Sequence, residues 1–328
     1  MKKPNISAFA VKYLSVIAAT TLFFIAFIVG SMSYRGFFSL QTFFNLFIDK
    51  SFLLVSATGM SLVILSGGID LSVGSVLAFS TMIIVSLTEM AGAHPILAIA
   101  VALAAGSLIG LGMGCMIAFW NVPPFIATLA GMFFARGACY LISVQSVSIY
   151  HPLVLNLSYW QFSFGEDSFI SFNVIIAVVI ILIGIYISLF TKFGRNIYAI
   201  GGNETSALLM GIPIRRTKIL VYTINGFCSA VAGLVFSLYM LSGYGLHALG
   251  MELDVIASVV IGGTLLAGGT GYVFGSAFGV LTLGIIQSLI MFNGKINSWW
   301  TKITVGILLL VFIGLQRFIV ALGDKKNT

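Results

Sequence analysis

Long uncharged runs recur along this chain of 328 residues, and they restrict its fold more than any other feature. Many of them approach 20 residues, the length that an α-helix needs to cross about 30 Å of hydrocarbon. Hydrophobic residues make up 59% of the sequence and charged residues only 8%, a balance that a soluble domain of this size does not have. The sequence therefore predicts an all-α polytopic membrane protein with one transmembrane domain over residues 1–328.

The apolar runs and the polar breaks between them predict about ten transmembrane helices. The predicted spans cover roughly residues 12–30, 51–66, 72–88, 96–119, 125–143, 169–190, 219–242, 255–267, 273–292 and 302–320. A further apolar stretch at 36–48 is either interfacial or partly inserted. Asp49 and Lys50 are expected to separate it from the second span, because charged residues rarely lie inside a membrane helix.

The distribution of basic residues indicates how these helices are oriented. With ten spans, both termini lie on the same side as the loop at 191–218, and that side holds most of the Lys and Arg residues. Because such residues gather on the cytosolic side of membrane proteins, the termini and this loop are predicted to be cytosolic. The net charge of +7 then reflects orientation, and no nucleic-acid partner is expected.

A short helix with two marked ends is predicted inside the cytosolic loop. Asn203 can cap its first N–H groups, and Glu204 places a negative charge in the first turn, where it favours the helix dipole. Gly211 can take the left-handed position after the last turn, and Pro213 prevents the helix from continuing. The apolar residues at 207–210 have nothing in their own loop to pack against, which fits either a partner protein or a helix lying on lipid headgroups.

Five polar residues in or beside apolar segments are candidates for a translocation path, because polar groups at membrane depth usually face a cavity or a partner. Asp70 either lines the path as a hydrogen-bond acceptor or caps the third span with help from Ser72. Arg136 is expected to pair with Asp70 or with a backbone carbonyl, or to extend toward water. Asn225 either contacts a polar solute or joins two helices. Thr128 is the fifth candidate.

No catalytic set is recognisable in the sequence. There is no G-x-S-x-G motif, no cluster of His with acids, and no Walker lysine in a Gly-rich loop. Cys115, Cys139 and Cys228 lie in apolar segments without metal-ligand spacing. Glu252 and Asp254 begin the eighth span, where acids favour a helix N-terminus. We therefore expect no enzymatic activity, bound cofactor or metal.

One Gly-rich pattern occurs twice. Gly67-Gly68-x5-Gly74-Ser75 recurs as Gly268-Gly269-x5-Gly275-Ser276, and each copy lies between a short apolar span and a longer one. Duplicated halves with broken helices are typical of transporters. A chance match is the other interpretation, since the chain has 36 glycines.

Several stretches taken together resemble a known family over about residues 45–320. They are Val63-Ile-Leu-Ser-Gly-Gly-Ile-Asp-Leu-Ser-Val-Gly-Ser75, Pro124-Phe-Ile-Ala-Thr-Leu-Ala-Gly131 with Arg136-Gly137, Phe193-Gly-Arg195, Tyr198-Ala-Ile-Gly-Gly-Asn203 with Ala207 and Gly211-Ile212, and Ala257-Ser-Val-Val-Ile-Gly-Gly-Thr264. This set resembles the permease subunits of bacterial ABC importers for monosaccharides, in the ribose/galactose branch. The resemblance implies the ABC importer permease fold and a multi-pass location in the inner membrane.

Within that branch, three stretches are most similar to a permease of the galactofuranose importer. They are Thr128-Leu-Ala-Gly-Met-Phe-Phe134, Leu253-Asp-Val-Ile-Ala-Ser-Val-Val-Ile-Gly-Gly-Thr-Leu-Leu266 and Ser298-Trp-Trp-Thr-Lys302. The expected function is translocation of a monosaccharide, with galactofuranose as the leading substrate. The alternatives are another sugar of the ribose, galactose or xylose type, or an ion-coupled secondary transporter, for which Asp70, Glu252 and Asp254 are the motivation.

The resemblance also implies partners and a role for the short helix. The partners are a cytosolic ATPase that uses ATP, a second and related permease chain, and a periplasmic sugar-binding protein. Permeases of this family dock a coupling helix into the ATPase, and the corresponding residues here are Gly202, Asn203, Glu204, Ala207, Leu208, Met210, Gly211 and Ile212. The basic residues that follow, Arg215, Arg216 and Lys218, are expected to lie at anionic lipid headgroups.

Overall fold

The computed structural model describes residues 6–34, 36–165, 168–294 and 299–324, and it describes side chains only between residues 17 and 314 of these ranges. Part of the charge pattern behind the predicted orientation therefore lies outside the described residues or side chains. These residues are Lys2, Lys3, Lys12, Arg35, Lys295, Arg317, Lys325 and Lys326.

The described residues form thirteen α-helices joined by short loops. The helices are α1 (Ile6–Ser33), α2 (Leu40–Leu65), α3 (Val73–Val85), α4 (Pro95–Phe119), α5 (Pro124–Ile142), α6 (Pro152–Tyr159), α7 (Phe172–Phe190), α8 (Lys192–Gly202), α9 (Glu204–Leu209), α10 (Ile214–Met240), α11 (Met251–Ile261), α12 (Val273–Asn293) and α13 (Trp299–Asp324). A π-helix at Ser86–Met90 extends α3.

Four short strands lie near the ends of these helices: β1 (Val147–Ser148), β2 (Gln161–Ser163), β3 (Phe169–Ser171) and β4 (Ser242–Gly243). Strand β1 pairs with β4 and β2 with β3, both antiparallel. The predicted loop at 144–168 therefore contains β1, α6 and β2. Through β1 it is hydrogen-bonded to the segment that follows α10.

Seven of the described helices are long and apolar enough to cross a membrane: α2, α3 with its π-helical extension, α4, α5, α7, α10 and α12. The described apolar parts of α1 and α13, Ile17–Ser33 and Trp299–Gly314, are shorter. Helix α11 has 11 residues and rises about 16 Å, which is half of a crossing. The polytopic all-α prediction is confirmed, while the count of ten spans and the side of the termini stay predictions.

Helix α10 is the centre of the bundle and packs against α2, α3 and α4. Close approach to α4 depends on Gly106, Gly110 and Gly114, which are spaced four residues apart on one face of α4. A Cβ at Gly106 would lie 2.8 Å from the carbonyl oxygen of Gly226, and one at Gly114 would lie 2.9 Å from the Cα of Ile219. In a membrane, small residues of this kind let helix backbones come into direct van der Waals contact.

Helix α2 is continuous through Asp49 and Lys50, so the predicted break before the second span is wrong. Lys50 donates from Nζ to the Oε1 of Gln287 on α12, and the hydroxyl of Tyr239 on α10 donates to Asp49 over 3.1 Å. Because each charged group has a partner on a neighbouring helix, neither has to leave the helix. The ambiguous stretch at 36–48 is largely the first part of α2, which begins after the N-cap Ser39.

Candidate functional site

Helix α9 is capped at both ends as the sequence predicts. The Oδ1 of Asn203 accepts a hydrogen bond of 2.8 Å from the N–H of Ser206. Gly211 has φ +76°, and the N–H groups of Gly211 and Ile212 donate to the carbonyls of Leu208 and Ala207 over 2.9 and 3.1 Å. This pair of bonds is a Schellman motif, which satisfies the last carbonyls of the helix and fixes where it ends.

The C-terminal part of α9 exposes three apolar side chains. Ala207 is fully buried, whereas Leu208, Leu209 and Met210 are 63%, 85% and 67% exposed. Glu204 pairs with Lys218 of α10 over 2.7 Å, which fixes the helix against the bundle. The sequence left open which face of α9 contacts a partner. In the structure Ala207 marks the buried side, and the polar residues Glu204, Thr205 and Ser206 are exposed together with the three apolar ones.

Helix α8 lies directly before α9 and was not predicted. Thr191 caps it by accepting the N–H of Gly194 over 3.0 Å, and Ile197 and Ile200 are buried. The spacing of Phe193, Ile197 and Ile200 is that of a helix face and is the signal that could have revealed it. The predicted loop at 191–218 is also too long at its end, because α10 begins at Ile214 and includes the basic residues that follow.

The end of α8 touches the end of α2 and the loops after α2 and after α11, and each of these two loops and the end of α8 contributes glycine to the contact. A Cβ at Gly201 would overlap the carbonyl oxygen of Leu65 and lie 2.5 Å from the nitrogen of Gly269. A Cβ at Gly268 would lie 2.8 Å from the Cα of Gly67. The N–H of Gly269 donates to the carbonyl of Leu65 over 2.9 Å. We call this contact of Gly67, Gly201, Gly268 and Gly269 the glycine junction.

The two copies of the repeated Gly-rich pattern therefore meet in space. Gly67 has φ +84°, and Gly268 and Gly269 have φ +89° and +74°, values that side-chain-bearing residues rarely adopt. The copies occupy matching places, between α2 and α3 and between α11 and α12. Whether they descend from one duplicated segment stays a prediction.

Tyr198 of α8 adds a side-chain bond to the glycine junction. Its hydroxyl donates to the carbonyl of Gly271 over 2.9 Å. Burial raises the pKa of this hydroxyl to about 12, because the phenolate would lose its hydration. Tyr198 is therefore a neutral donor at any physiological pH, and α8 is held to the loop after α11 by a bond that does not titrate.

Asp70 lies at the centre of a buried polar group beside the glycine junction. Its Oδ1 accepts from the N–H and the hydroxyl of Ser72 over 2.7 and 2.6 Å, and its Oδ2 accepts from the Nδ2 of Asn225 over 2.7 Å. Asp70, Asn225 and Tyr222 are each at most 1% exposed. The Oδ1 of Asn225 and the hydroxyl of Tyr222 have no hydrogen-bond partner among the described residues.

Thr128 lies beside this polar group, and Arg136 does not. The hydroxyl of Thr128 lies 3.4 Å from the carbonyl of Ile69 and 2.9 Å from that of Pro124. Arg136 donates from Nη1 to the carbonyls of Gly245 and His247 over 2.5 and 2.8 Å. Of the alternatives considered for Arg136, a carbonyl contact is the one observed, and the pairing with Asp70 is wrong.

The structure thus brings together four of the five path candidates, Asp70, Ser72, Thr128 and Asn225. Arg136 lies apart from them and binds two carbonyls of the segment after α10. Burial first, and then the Arg136 guanidinium, lower the pKa of His247 in that segment. The four clustered residues are buried in this conformation, so any role in translocation requires the helices around them to move. Asp70 joins the break between α2 and α3 to α10 through Asn225, so Asn225 connects two segments of the bundle. A role of either residue in the solute path stays a prediction.

Comparison with known proteins gives a consistent result. The family described as the branched-chain amino acid transport system / permease component matches residues 42–313. The chain is 44% identical over 307 residues to the inner membrane ABC transporter permease protein YjfF of Escherichia coli strain K12, covering 94% of this chain and 93% of that protein.

Two further relatives are named for sugars. The chain is 38% identical over 319 residues to the fructose import permease protein FruG of Bifidobacterium longum, covering 95% of this chain and 93% of that protein. It is 35% identical over 287 residues to the ribose import permease protein RbsC of Escherichia coli strain K12, covering 87% and 88%. No solved structure matches the chain.

Proposed function

We propose, from the membership of this chain in the ABC transporter permease family of these relatives, that it translocates a monosaccharide for an ATP-driven importer. Galactofuranose is the leading candidate for that monosaccharide. The chain is a multi-pass protein of the bacterial inner membrane. The observation that carries the proposal is the capped helix α9, which exposes Leu208, Leu209 and Met210 and is connected through α8 to the helix breaks after α2 and after α11.

The substrate class is a sugar. The relatives named for fructose and ribose align with nearly the whole chain, which favours a sugar over the amino acids in the printed name of the family. Galactofuranose is proposed from the sequence resemblance at 128–134, 253–266 and 298–302. Sugars of the ribose, galactose or xylose type are the alternatives.

The energy source is a partner ATPase that docks on α9. Leu208, Leu209 and Met210 supply contiguous apolar surface of the kind that marks a protein contact. The caps and the Glu204–Lys218 ion pair make the helix a rigid projection that transmits displacement. Arg215 and Arg216 are exposed at the start of α10, where anionic headgroups are favourable neighbours.

The glycine junction provides a route from α9 to the interior. A shift of α9 displaces the end of α8, and the end of α8 is in backbone contact with the loops after α2 and after α11. Packed backbones transmit small shifts because they have no side chain that can change rotamer and absorb them. The loop after α2 carries Asp70, so movement at α9 reaches the buried polar group.

The remaining partners are a second, related permease chain and a periplasmic sugar-binding protein. The exposed apolar faces of α4, α5 and α7 are available to lipid and to the second chain. The binding protein selects the sugar and delivers it on the side of the membrane opposite the ATPase.

The test is uptake by the reconstituted complex of the two permeases, the ATPase and the binding protein. Vesicles should accumulate labelled galactofuranose only when ATP is supplied, and they should do so faster than ribose, galactose or xylose. Uptake that persists without ATP and collapses when a protonophore dissipates the proton gradient would establish the ion-coupled alternative instead. ATP-driven uptake of a different sugar would support the permease function and show that galactofuranose is not the substrate.

A further inference from the structure

An apolar groove opens on the outside of the bundle between α4 and α5. It has a volume of about 430 Å³, and every residue that lines it is apolar or glycine. Leu108 of α4 and Phe134 of α5 line it with exposed side chains, and Met113 and Gly131 line it as buried residues. An apolar cavity of about 150 Å³ already binds a molecule the size of benzene, so this one has room for a longer hydrocarbon segment. We call it the α4–α5 groove.

The α4–α5 groove lies in the half of the bundle that is nearer to α9. Helices α4 and α10 are antiparallel, because Gly106 of α4 meets Gly226 of α10 and Gly114 meets Ile219. The turn after α4 therefore lies beside the start of α10, which follows α9 in the chain. Helix α5 has 19 residues and is about 28 Å long, which matches one crossing.

The depth of the groove is the same when it is measured along either helix. The groove residues of α5 lie about 9–15 Å from its first residue, and those of α4 lie about 5–17 Å from its last residue. One leaflet supplies half of a hydrocarbon core that is about 30 Å thick. The α4–α5 groove therefore lies at the depth of the acyl chains in the leaflet on the α9 side.

Aromatic and basic side chains lie at the shallow end of the groove. Met116 lines the groove, and Phe119 and Trp120 follow it by three and four residues, which places them on the same face of α4. They are 54% and 74% exposed, and an exposed tryptophan at the end of a membrane helix is typical of the boundary between hydrocarbon and water. The guanidinium carbon of Arg215 lies 6.0 Å from the centre of the Phe119 ring. The groove thus leads to a cation at headgroup level.

The charge at this end favours an anionic occupant. Arg215 and Arg216 are both exposed, and neither forms an ion pair with another described residue. Lys218, by contrast, is paired with Glu204. A molecule with a hydrocarbon chain and an anionic head matches both the groove and the two arginines. An apolar helix of another protein would fill the groove but would leave both guanidinium groups without a counter-charge.

We propose that the α4–α5 groove binds an anionic phospholipid of the leaflet on the α9 side. One acyl chain lies between α4 and α5, and the phosphate lies at Arg215 and Arg216. The proposal goes beyond the transport function and does not depend on which solute is carried. It differs from a general attraction of basic residues to headgroups, because it joins one arginine to one groove through Phe119.

Photocrosslinking in the complete transporter identifies the occupant of the α4–α5 groove. Phe134 is replaced by p-benzoylphenylalanine, which keeps an aromatic ring at the groove and bonds to a nearby C–H group when irradiated. The comparison position is Leu182, which is 59% exposed in the middle of α7. Both proteins are reconstituted in vesicles of equal phosphatidylglycerol and phosphatidylethanolamine with identical acyl chains. Mass spectrometry then identifies the attached lipid.

The headgroup of the attached lipid tests the part played by Arg215. Position 134 should attach phosphatidylglycerol about fivefold more often than phosphatidylethanolamine, since one arginine near the surface attracts an anionic lipid by about that factor. Position 182 should attach the two lipids equally. Arg215→Gln should lower the preference at position 134 by at least about half. Arg195→Gln removes an exposed charge from α8 instead and should leave the preference unchanged.

The acyl chain is tested by filling the α4–α5 groove. Ala130 lines the groove, so the ring of Ala130→Phe takes space that the chain needs. The yield of phosphatidylglycerol at position 134 should fall at least about fivefold, as expected for overpacking of a site. Ala104→Phe adds the same ring at an exposed position of α4, about 22 Å from the end of that helix. Ala104 is not among the groove residues, and its replacement should leave the yield unchanged.

Three results would overturn the proposal. Attachment of position 134 to the second permease chain would show that the groove is part of a contact between proteins. Equal attachment of the two lipids at position 134 would show that ordinary bilayer lipid fills it. A preference for phosphatidylglycerol that Arg215→Gln leaves intact would show that the headgroup is bound elsewhere. All three are measured without solute, so they are independent of the sugar that is transported.

Discussion

At the scale of single residues, the contact between Asp70 and Asn225 joins the break after α2 to the central helix α10. The carboxylate accepts three hydrogen bonds and is fully buried. Hydrogen bonds to a charged group stabilise the folded state by about 1.5–3 kcal/mol each, whereas a buried charge without partners destabilises it. Asp70 is therefore held in place from two sides, by Ser72 and by Asn225.

Asp70→Asn should fold and assemble, yet transport more slowly. The new amide oxygen can still accept from Ser72, and its NH2 can donate to Asn225 if that amide rotates, because the Oδ1 of Asn225 has no partner among the described residues. The charge-assisted strength of the group is lost, and we expect uptake in vesicles to fall by about tenfold. Uptake at the normal rate with normal assembly would show that Asp70 has only a structural role at the break before α3.

Asn225→Asp should be far more damaging than Asp70→Asn. It would place a second carboxylate where 2.7 Å separates the present pair, and two buried carboxylates cannot both stay ionised at that distance. We expect a loss of about 3–5 kcal/mol in the free energy of unfolding, measured by thermal unfolding in detergent. The exchanged pair Asp70→Asn with Asn225→Asp should recover most of that loss. An exchanged pair no more stable than Asn225→Asp alone would contradict a direct interaction.

Residue types were easier to recognise in the sequence than their partners. Asp70 was identified because an acid beside two glycines in an apolar region is conspicuous, and Asn225 because an amide in a span needs a hydrogen bond. For Arg136 a backbone carbonyl was one of three alternatives, but the sequence did not indicate that the carbonyls would be those of Gly245 and His247 in an irregular segment. Backbone acceptors leave no signal in the side-chain sequence.

At the scale of elements, the C-terminal cap of α9 is open to a clean test. Gly211→Val puts a β-branched residue at φ +76°, which costs about 1–2 kcal/mol, and no described atom lies within 4 Å of the new Cβ position. The strain is therefore in the backbone alone. We expect membrane insertion to be unchanged, and co-purification of the ATPase and ATP-driven uptake to fall. Gly211→Asn is the control, since Asn tolerates this conformation. Equal retention of the ATPase by both variants would contradict the capping argument.

The glycine junction offers a second pair of matched substitutions. Gly201→Ala forces its Cβ against the backbone at Leu65 and Gly269, and overpacking of this kind costs about 1–3 kcal/mol. In α4, away from the coupling helix, Gly112→Ala meets no described atom within 4 Å. We expect Gly201→Ala to keep the ATPase bound but to lose uptake per ATP hydrolysed, while Gly112→Ala behaves as the unsubstituted chain. Equal sugar uptake per ATP hydrolysed in the two variants would show that the glycine junction takes no part in coupling.

The sequence predicted elements with local signals and missed those that depend on tertiary contacts. Helix α9 is six residues long, but Asn203, Gly211 and Pro213 define its ends. Helix α8 was missed because its apolar spacing is short and lies in a basic segment. The false break at Asp49 and Lys50 has the same origin, since their partners Tyr239 and Gln287 are more than 180 residues away in the chain.

At the scale of the whole molecule, the described structure divides into a buried centre and an apolar periphery. Helices α2, α3 and α10 are mostly buried, whereas α4, α5 and α7 expose large apolar side chains. Hydropathy reports both groups as membrane spans and cannot separate them, because lipid-facing and buried helices are equally apolar. Glycine contacts and hydrogen bonds between distant segments determine where each helix lies in the bundle, and no single stretch of sequence contains both sides of such a contact.

The orientation of the whole chain can be tested with one cysteine at each end of the bundle. Thr205 is exposed in the first turn of α9, and Tyr150 is 74% exposed in the segment that joins α5 to α7. Because α7 separates these segments by one crossing, they must lie on opposite sides of the membrane. The predicted cytosolic side of α9 requires Thr205→Cys to react with an impermeant thiol reagent only in inverted vesicles, and Tyr150→Cys only in right-side-out ones. A reversed pattern would place α9 in the periplasm, where ATP and its ATPase are absent, and would rule out coupling through α9. Reaction of both positions from one side would instead show that α7 does not cross.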